Sequence, residues 1–135
     1  MKKSLLIFPV FFLMLSCGDS VPGKVKSNLR FLNEAIEEAN KADSVIWNLK
    51  EDEIEKMDYY NSRDFVTNNS YWMYRDEWIG KRREKHLMYI RVNYPDLEKD
   101  PRVWDTIPSY IKSNNINPID FQKKSDLVKK KVSKY

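Results

Sequence analysis

Leu29, Leu32, Ile36, Ala39, Ile46, Ile54 and Met57 recur at three- and four-residue steps. Only a helix, with 3.6 residues per turn, gathers such positions on one face. The stretch therefore restricts the chain to folds in which a long helix buries one side. Ser27 or Asn28 is its expected cap, because their side chains can accept from the free N–H groups of a first turn. Asp43 and Lys50 fall on the same stripe. Either the helix continues to about Asp58 with two polar interruptions, or it breaks near Asp43-Ser44 and restarts with Ser44 as cap. Asp43 and Lys50 stand two turns apart, too far for a direct pair.

The second informative stretch is Tyr71 to Tyr94. At about 100° per residue, Tyr71, Tyr74, Trp78, Tyr89 and Val92 share one face, and Trp72, Ile79, His86 and Ile90 share another. Glu77, Lys81 and Glu84 fall on the polar side, with Glu77 and Lys81 in the favourable i,i+4 order. A helix apolar on two faces is expected to be packed by neighbours on both, which makes 71–94 the central helix. Between the two stretches, Tyr59 to Ser70 is rich in Asn and Ser and is expected to be a loop, with Ser70 capping the central helix. Pro95 ends that helix, since the residue before proline avoids helical geometry. Asp100-Pro101 opens a short turn and Ser109 to Lys112 another. Asn117-Pro118 is a cap followed by proline at the first helical position. It opens a final helix with Phe121, Val128, Val132 and Tyr135 on its apolar side. Strand and hairpin signals are weak throughout. The predicted fold is all-α, a small bundle of three to four helices occupying 27–135.

The chain's chemistry is bounded by what it lacks. Its glycines are Gly18, Gly23 and Gly80, which excludes a glycine-rich phosphate loop or dinucleotide fingerprint. His86 and Cys17 are the sole histidine and cysteine, so no zinc site of the usual His/Cys kind and no internal disulfide can form. Arg83 stands where a helical di-metal motif would need Glu three before His86. No metal or other cofactor is expected, and His86 is expected to be a packed or partly exposed helix residue. The remaining enzymatic option is a glycan-cleaving carboxylate pair drawn from Asp76, Glu77 and Glu84. Solvated helix face is the more economical account of those carboxylates.

The start of the chain carries a different kind of signal. Lys2 and Lys3 precede an apolar run, Leu5 to Leu15, interrupted by Pro9. That run is too short to span a bilayer, which takes about 20 residues, and it suits a secretory h-region. It is followed by Met14-Leu15-Ser16-Cys17, and here the chain resembles the signal of bacterial lipoproteins, in the terse form familiar from Bacteroidota. The resemblance implies a signal peptide over 1–16, cleavage before Cys17, lipidation of Cys17 and a tether over 17–26, where Pro22-Gly23 interrupts regular structure. Met14 replaces the usual Leu, and Leu15 the usual small residue, of that family's pattern. By the same resemblance, Gly18 after the cysteine favours the outer membrane, and the lack of an acidic run favours its periplasmic face. Asp19-Ser20-Val21, Asp43-Ser44-Val45 and Asp105-Thr106-Ile107 resemble the Bacteroidota O-glycosylation motif, with Ser20, Ser44 and Thr106 as acceptors.

Removing 1–16 takes away Lys2 and Lys3, so the formal charge of +4 falls to +2. Net charge of that size argues for no particular partner, but its distribution is uneven. Lys123 to Lys134 holds six lysines against Asp126 alone, which suits anionic head groups or glycans. Among the aromatic residues of the central helix, Arg75, Arg82 and Arg83 are the expected solvent-facing cations, and Trp72 and Trp78 the expected core. The expected binding residues are therefore Arg75, Arg82, Arg83, Lys123, Lys124, Lys129, Lys130 and Lys131. Together these features predict a non-catalytic, membrane-anchored lipoprotein that binds a protein or an envelope polyanion. A periplasmic immunity or inhibitor protein is a sharper form of that reading, and a glycan-active hydrolase is the alternative. Export argues against nucleic acid as a partner.

Overall fold

A computed structural model describes residues 20–135; the expected signal, Cys17 and the first residues of the tether, up to 19, lie outside the described residues. The described chain is all-α, with no strand in it. Helices α1 (Gly23–Asn48), α2 (Glu51–Glu55), α3 (Tyr59–Asn68) and α4 (Ser70–Asn93) are followed by two 3₁₀ turns, Pro95–Leu97 and Pro101–Trp104. Helices α5 (Tyr110–Ser113) and α6 (Pro118–Val132) complete the order.

The frame is an antiparallel pair, α1 against α4. Asp43 of α1 meets Arg75 near the start of α4, and Val25 at the start of α1 packs with Ile90 near the end of α4. The buried stripe of α1 is the one its periodicity predicts: Leu32, Ile36, Ala39 and Ile46 are all buried. Complete burial of a side chain such as Ile46 contributes about 1.5–3 kcal/mol. The larger apolar cluster lies at the far end of the pair, where Ile46, Ile54, Phe65, Trp72, Phe121 and Val128 converge from five helices. A smaller one, Val25, Ile90 and Val103, lies at the near end, beside the described start of the chain.

Several boundaries differ from those the sequence predicts. α1 begins at Gly23, straight after Pro22 and ahead of Ser27 and Asn28, with no side chain capping it. Burial of Val25 against Ile90 and Val103 holds that first turn in place of a cap. Neither predicted course of 28–58 is followed. The helix runs unbroken through Asp43 and Ser44 and stops at Asn48, and Leu49 is extended. Glu51, Asp52 and Glu53 then begin α2, where acidic side chains favour the positive end of a helix, and the Glu53 carboxylate accepts from the Lys50 N–H at 2.7 Å.

The expected loop at 59–70 is helix α3. Asp58 caps it, its side chain accepting from the Asn61 N–H at 2.9 Å. Ser62 and Phe65 are buried one turn apart, and Phe65 meets Trp72 edge to face at 5.5 Å. The low helix propensity of Asn and Ser is a few tenths of a kcal/mol per residue, less than the burial of one phenylalanine. Ser70 is the first residue of α4 rather than its cap.

One of the two predicted apolar faces of α4 is packed along its length; on the other, Tyr89 packs against the near-end cluster. Trp72, His86 and Ile90 are buried, while Tyr74, Trp78 and Val92 are exposed, Trp78 by 45%. Trp78 is thus not core. α4 has one long partner, α1, and the remaining elements are too short to cover its other side. The segments after α4 obey the predicted punctuation. Tyr94 before Pro95 ends the helix. Asp100 and Ser109 cap short turns, and the Asn117 side chain accepts from the Ile119 and Asp120 N–H groups at the start of α6.

Asn33 and Asn40 hold the return segment along α1. The Asn33 amide donates to the Asp105 carbonyl at 3.3 Å and accepts from the Ile107 N–H at 3.0 Å. The Asn40 amide donates to the Pro108 carbonyl at 3.0 Å and accepts from the Tyr110 N–H at 2.8 Å. Each amide thus pairs with a carbonyl and the N–H two residues on, as a neighbouring strand would. The spacings match: seven residues of helix advance about 10.5 Å, and three residues of extended chain about 10 Å.

Candidate functional site

Most of the predicted binding residues lie at the far end of the frame, where α4 begins and α6 crosses. A polar cleft of about 250 Å³ opens there between the two helices. Its aromatic floor is Trp72 and Phe121, and its rim carries Arg75, Asp76, Glu77, Gln122 and Lys129. Each position is set by helical spacing. Phe121, Ser125 and Val128 turn inward on α6, which leaves Gln122 and Lys129 at the edge. The Trp72 indole N–H donates to the Ser125 hydroxyl at 3.2 Å, tying the floor to α6. Lys129 Nζ stands 6.0 Å from the centre of Trp72, and the Arg75 guanidinium 5.4 Å from the centre of Phe121.

Arg75 is not the solvent-facing cation predicted. Its side chain is 22% exposed and is ion-paired with Asp43, whose side chain is 3% exposed; Asp76 flanks it at 3.4 Å. Burial pushes the Asp43 carboxyl above the usual carboxylate range, and the Arg75 charge and hydrogen bond pull it part of the way back. The polar break in the α1 stripe is therefore completed by α4, not by Lys50. Arg82 is half-buried and lies 5.8 Å over the Phe31 ring of α1. Arg83 is exposed, a step around the helix from both. The three arginines form no cluster.

The lysines of α6 divide by direction. Lys124 and Lys131 point inward, and their ammonium groups donate to the carbonyls of Trp47 and Glu55. Those carbonyls belong to the last turns of α1 and α2, neither of which carries a basic residue of its own. The two lysines thus supply from α6 the positive charge that a helix C-terminus favours. Lys123 and Lys130, seven residues apart, face solvent together, with exposed Ile119 and Leu127 beside them. The predicted basic strip is therefore an outer pair, of which Lys123 lies 3.9 Å from the Asp120 carboxylate, one cleft residue and two structural ties.

The carboxylates of the hydrolase alternative are not arranged as a pair across a cleft. Asp76 is exposed beside Arg75, Glu77 is ion-paired with Lys81, and Glu84 lies two turns beyond Glu77 in solvent. His86 is 1% exposed and far from the cleft; its Nε2 lies 2.7 Å from the Val103 carbonyl and so carries the proton. Ser125 accepts from Trp72 with no histidine near it. Among the described residues no group of three His, Cys, Asp or Glu side chains could hold a metal ion, and no helix is long and apolar enough to cross a membrane. Of the glycosylation candidates, Ser20 is exposed, Ser44 is half-buried within α1, and Thr106 is half-buried in the segment held by Asn33 and Asn40.

A second cleft, apolar and about 320 Å³, lies between α3 and the end of α6 and includes Ser62, Arg63 and Val66. None of these residues was among those predicted, because 59–70 reads as loop. The available signal was Asp58 as a cap, with Ser62, Phe65, Val66 and Asn69 after it at helical spacing. Comparison of the chain with protein-family models, with curated proteins and with solved structures found no match.

Proposed function

We propose that the protein is a lipid-anchored, non-catalytic binding protein on the periplasmic face of the outer membrane. Its anchor-distal end receives the acidic surface of a protein partner. One observation carries the reading: the start of α1 and the basic, aromatic end of the molecule lie at opposite ends of a helix 26 residues long, about 39 Å. With Cys17 lipidated a few residues before Gly23, that helix is a spacer. It carries Lys123, Lys129 and Lys130 away from the leaflet that holds the anchor. Head groups of that leaflet are then poorly placed to meet these lysines, and an acidic protein surface is well placed. Two or three acyl chains on Cys17 are ample for stable anchoring, at about 0.8 kcal/mol per buried methylene.

The test is in-cell cross-linking and affinity purification of the anchored protein, with Lys123→Glu/Lys130→Glu alongside. A single near-stoichiometric protein, lost in the charge-reversed variant, is the expected result. Recovery of peptidoglycan or lipopolysaccharide fragments alone would assign the basic face to an envelope polyanion instead. For the anchor, Cys17→Ala is expected to move the protein to the soluble fraction. Retention on the membrane, with no labelled palmitate on the wild type, would remove it.

A further inference from the structure

We infer that the cleft between α3 and the end of α6 is a binding site for a small hydrophobic monocarboxylate. Tyr59, Ser62, Arg63, Val66 and Thr67 recur at helical spacing and turn one face of α3 into it. Val132 and Tyr135 form the facing wall, and Met73 of α4 closes one end. The volume falls at the small end of the range usual for ligand sites, about 300–1,000 Å³. The Tyr59 and Tyr135 rings meet edge to face at 6.0 Å and form a rim.

Two polar groups give this apolar cleft its specificity. Ser62 is 2% exposed, and its hydroxyl has no hydrogen-bond partner. The Asp58 carbonyl four residues back accepts from the Ser62 N–H at 2.9 Å, but the Ser62 hydroxyl does not add to it. A buried hydroxyl left unpaired is costly, and alanine would fill the same space without that cost. Beside it, Arg63 is exposed and has no carboxylate partner among the described residues. The Thr67 hydroxyl is already engaged, donating to the Arg63 carbonyl at 2.9 Å. A carboxylate entering the cleft faces the Arg63 guanidinium and, once a small shift of the α3 wall uncovers it, accepts from the Ser62 hydroxyl, while its apolar body lies against Val66, Met73 and Val132. A cation is repelled there, and a neutral amphiphile forgoes the ion pair.

The experiment uses the full chain, anchored in phospholipid nanodiscs, with ¹³C-labelled methionine methyls, and titrates it with 4-phenylbutyrate. Met73 lines this cleft and the polar one beside it, so the substitutions in α3 assign its shift; Met88, exposed near the other end of α4, is the internal reference. A saturable shift of Met73 with Met88 unmoved is the expected result. Ser62→Ala and Arg63→Gln each weaken it about tenfold, as does replacing the ligand by 4-phenylbutanol. Arg63 is exposed and Ser62→Ala removes only an unpaired hydroxyl, so both variants retain the fold. The absence of a saturable shift, equal affinity for the alcohol, or indifference to both substitutions would each overturn the assignment. So would a Met73 shift that tracks protein concentration without ligand, which would give the cleft to a second copy of the chain.

Discussion

Asp43 is a carboxylate set into the apolar stripe of α1 and held there by an arginine from α4. The consequence is a pH-dependent stability with a definite sign. Burial raises the carboxyl above its ordinary value of 3.8 in the folded chain. The folded state therefore holds this proton more tightly than the unfolded state, and stability falls as pH rises from about 3.8 to the folded value, then levels off. Removing the guanidinium enlarges the effect. Arg75→Leu is expected to cost about 3–5 kcal/mol at neutral pH, because it strands a buried carboxylate. Much of that loss returns at acid pH, where the carboxyl protonates. Urea midpoints at the two pH values measure the difference. An equal loss at both would assign the role of Arg75 to its contact with Phe121 instead. Asp43→Leu with Arg75→Leu removes both charges and is expected to lie much closer to wild type than the single variant. The place of Asp43 on an apolar stripe is visible in the sequence. Its partner is not, because Arg75 lies on another helix and helical periodicity carries no information across elements.

Among the elements, those marked by local chemistry were legible. Asp100-Pro101, Ser109 and Asn117-Pro118 start turns or helices where the sequence places them, because cap and proline act within a few residues of themselves. α3 was not legible, since it is held by Phe65 packing into the distal cluster, against the propensity of its own residues. The exposed face of α4 fails for a related reason: amphipathic spacing shows that a face is apolar and says nothing about whether a partner exists to cover it. The two asparagines of α1 were equally silent, because polar residues on the flank of an apolar stripe read as solvated. Their role gives a prediction at this scale. Asn33→Ala and Asn40→Ala each remove two hydrogen bonds and leave the Ile107 or Tyr110 N–H without a partner, at about 1–3 kcal/mol. Hydrogen exchange is expected to quicken at Ile107 in the first variant and at Tyr110 in the second. Quickening at both amides in either variant would mean that the segment lifts as a unit.

At the scale of the whole molecule, the apolar core is uneven. The distal cluster draws on five helices, whereas the cluster beside the start of α1 centres on Val25, Ile90 and Val103. Native-state exchange is therefore expected to open the first turns of α1 at lower free energy than the turns around Ile46. Val25→Ala is expected to lower the first opening energy and leave the second near its wild-type value. Uniform exchange along α1 would show one cooperative unit instead. The molecule so described is firm where the clefts lie and looser toward the proposed anchor. For insertions and deletions, 105–110 behaves as an element although it has no regular structure. Surface connections usually tolerate changes in length, but here a helix advance is matched to an extended-chain advance at two fixed points. One residue gained or lost between Ile107 and Pro108 would leave one asparagine facing the wrong backbone groups. Along this stretch the chain can change most of its side chains, but not its count.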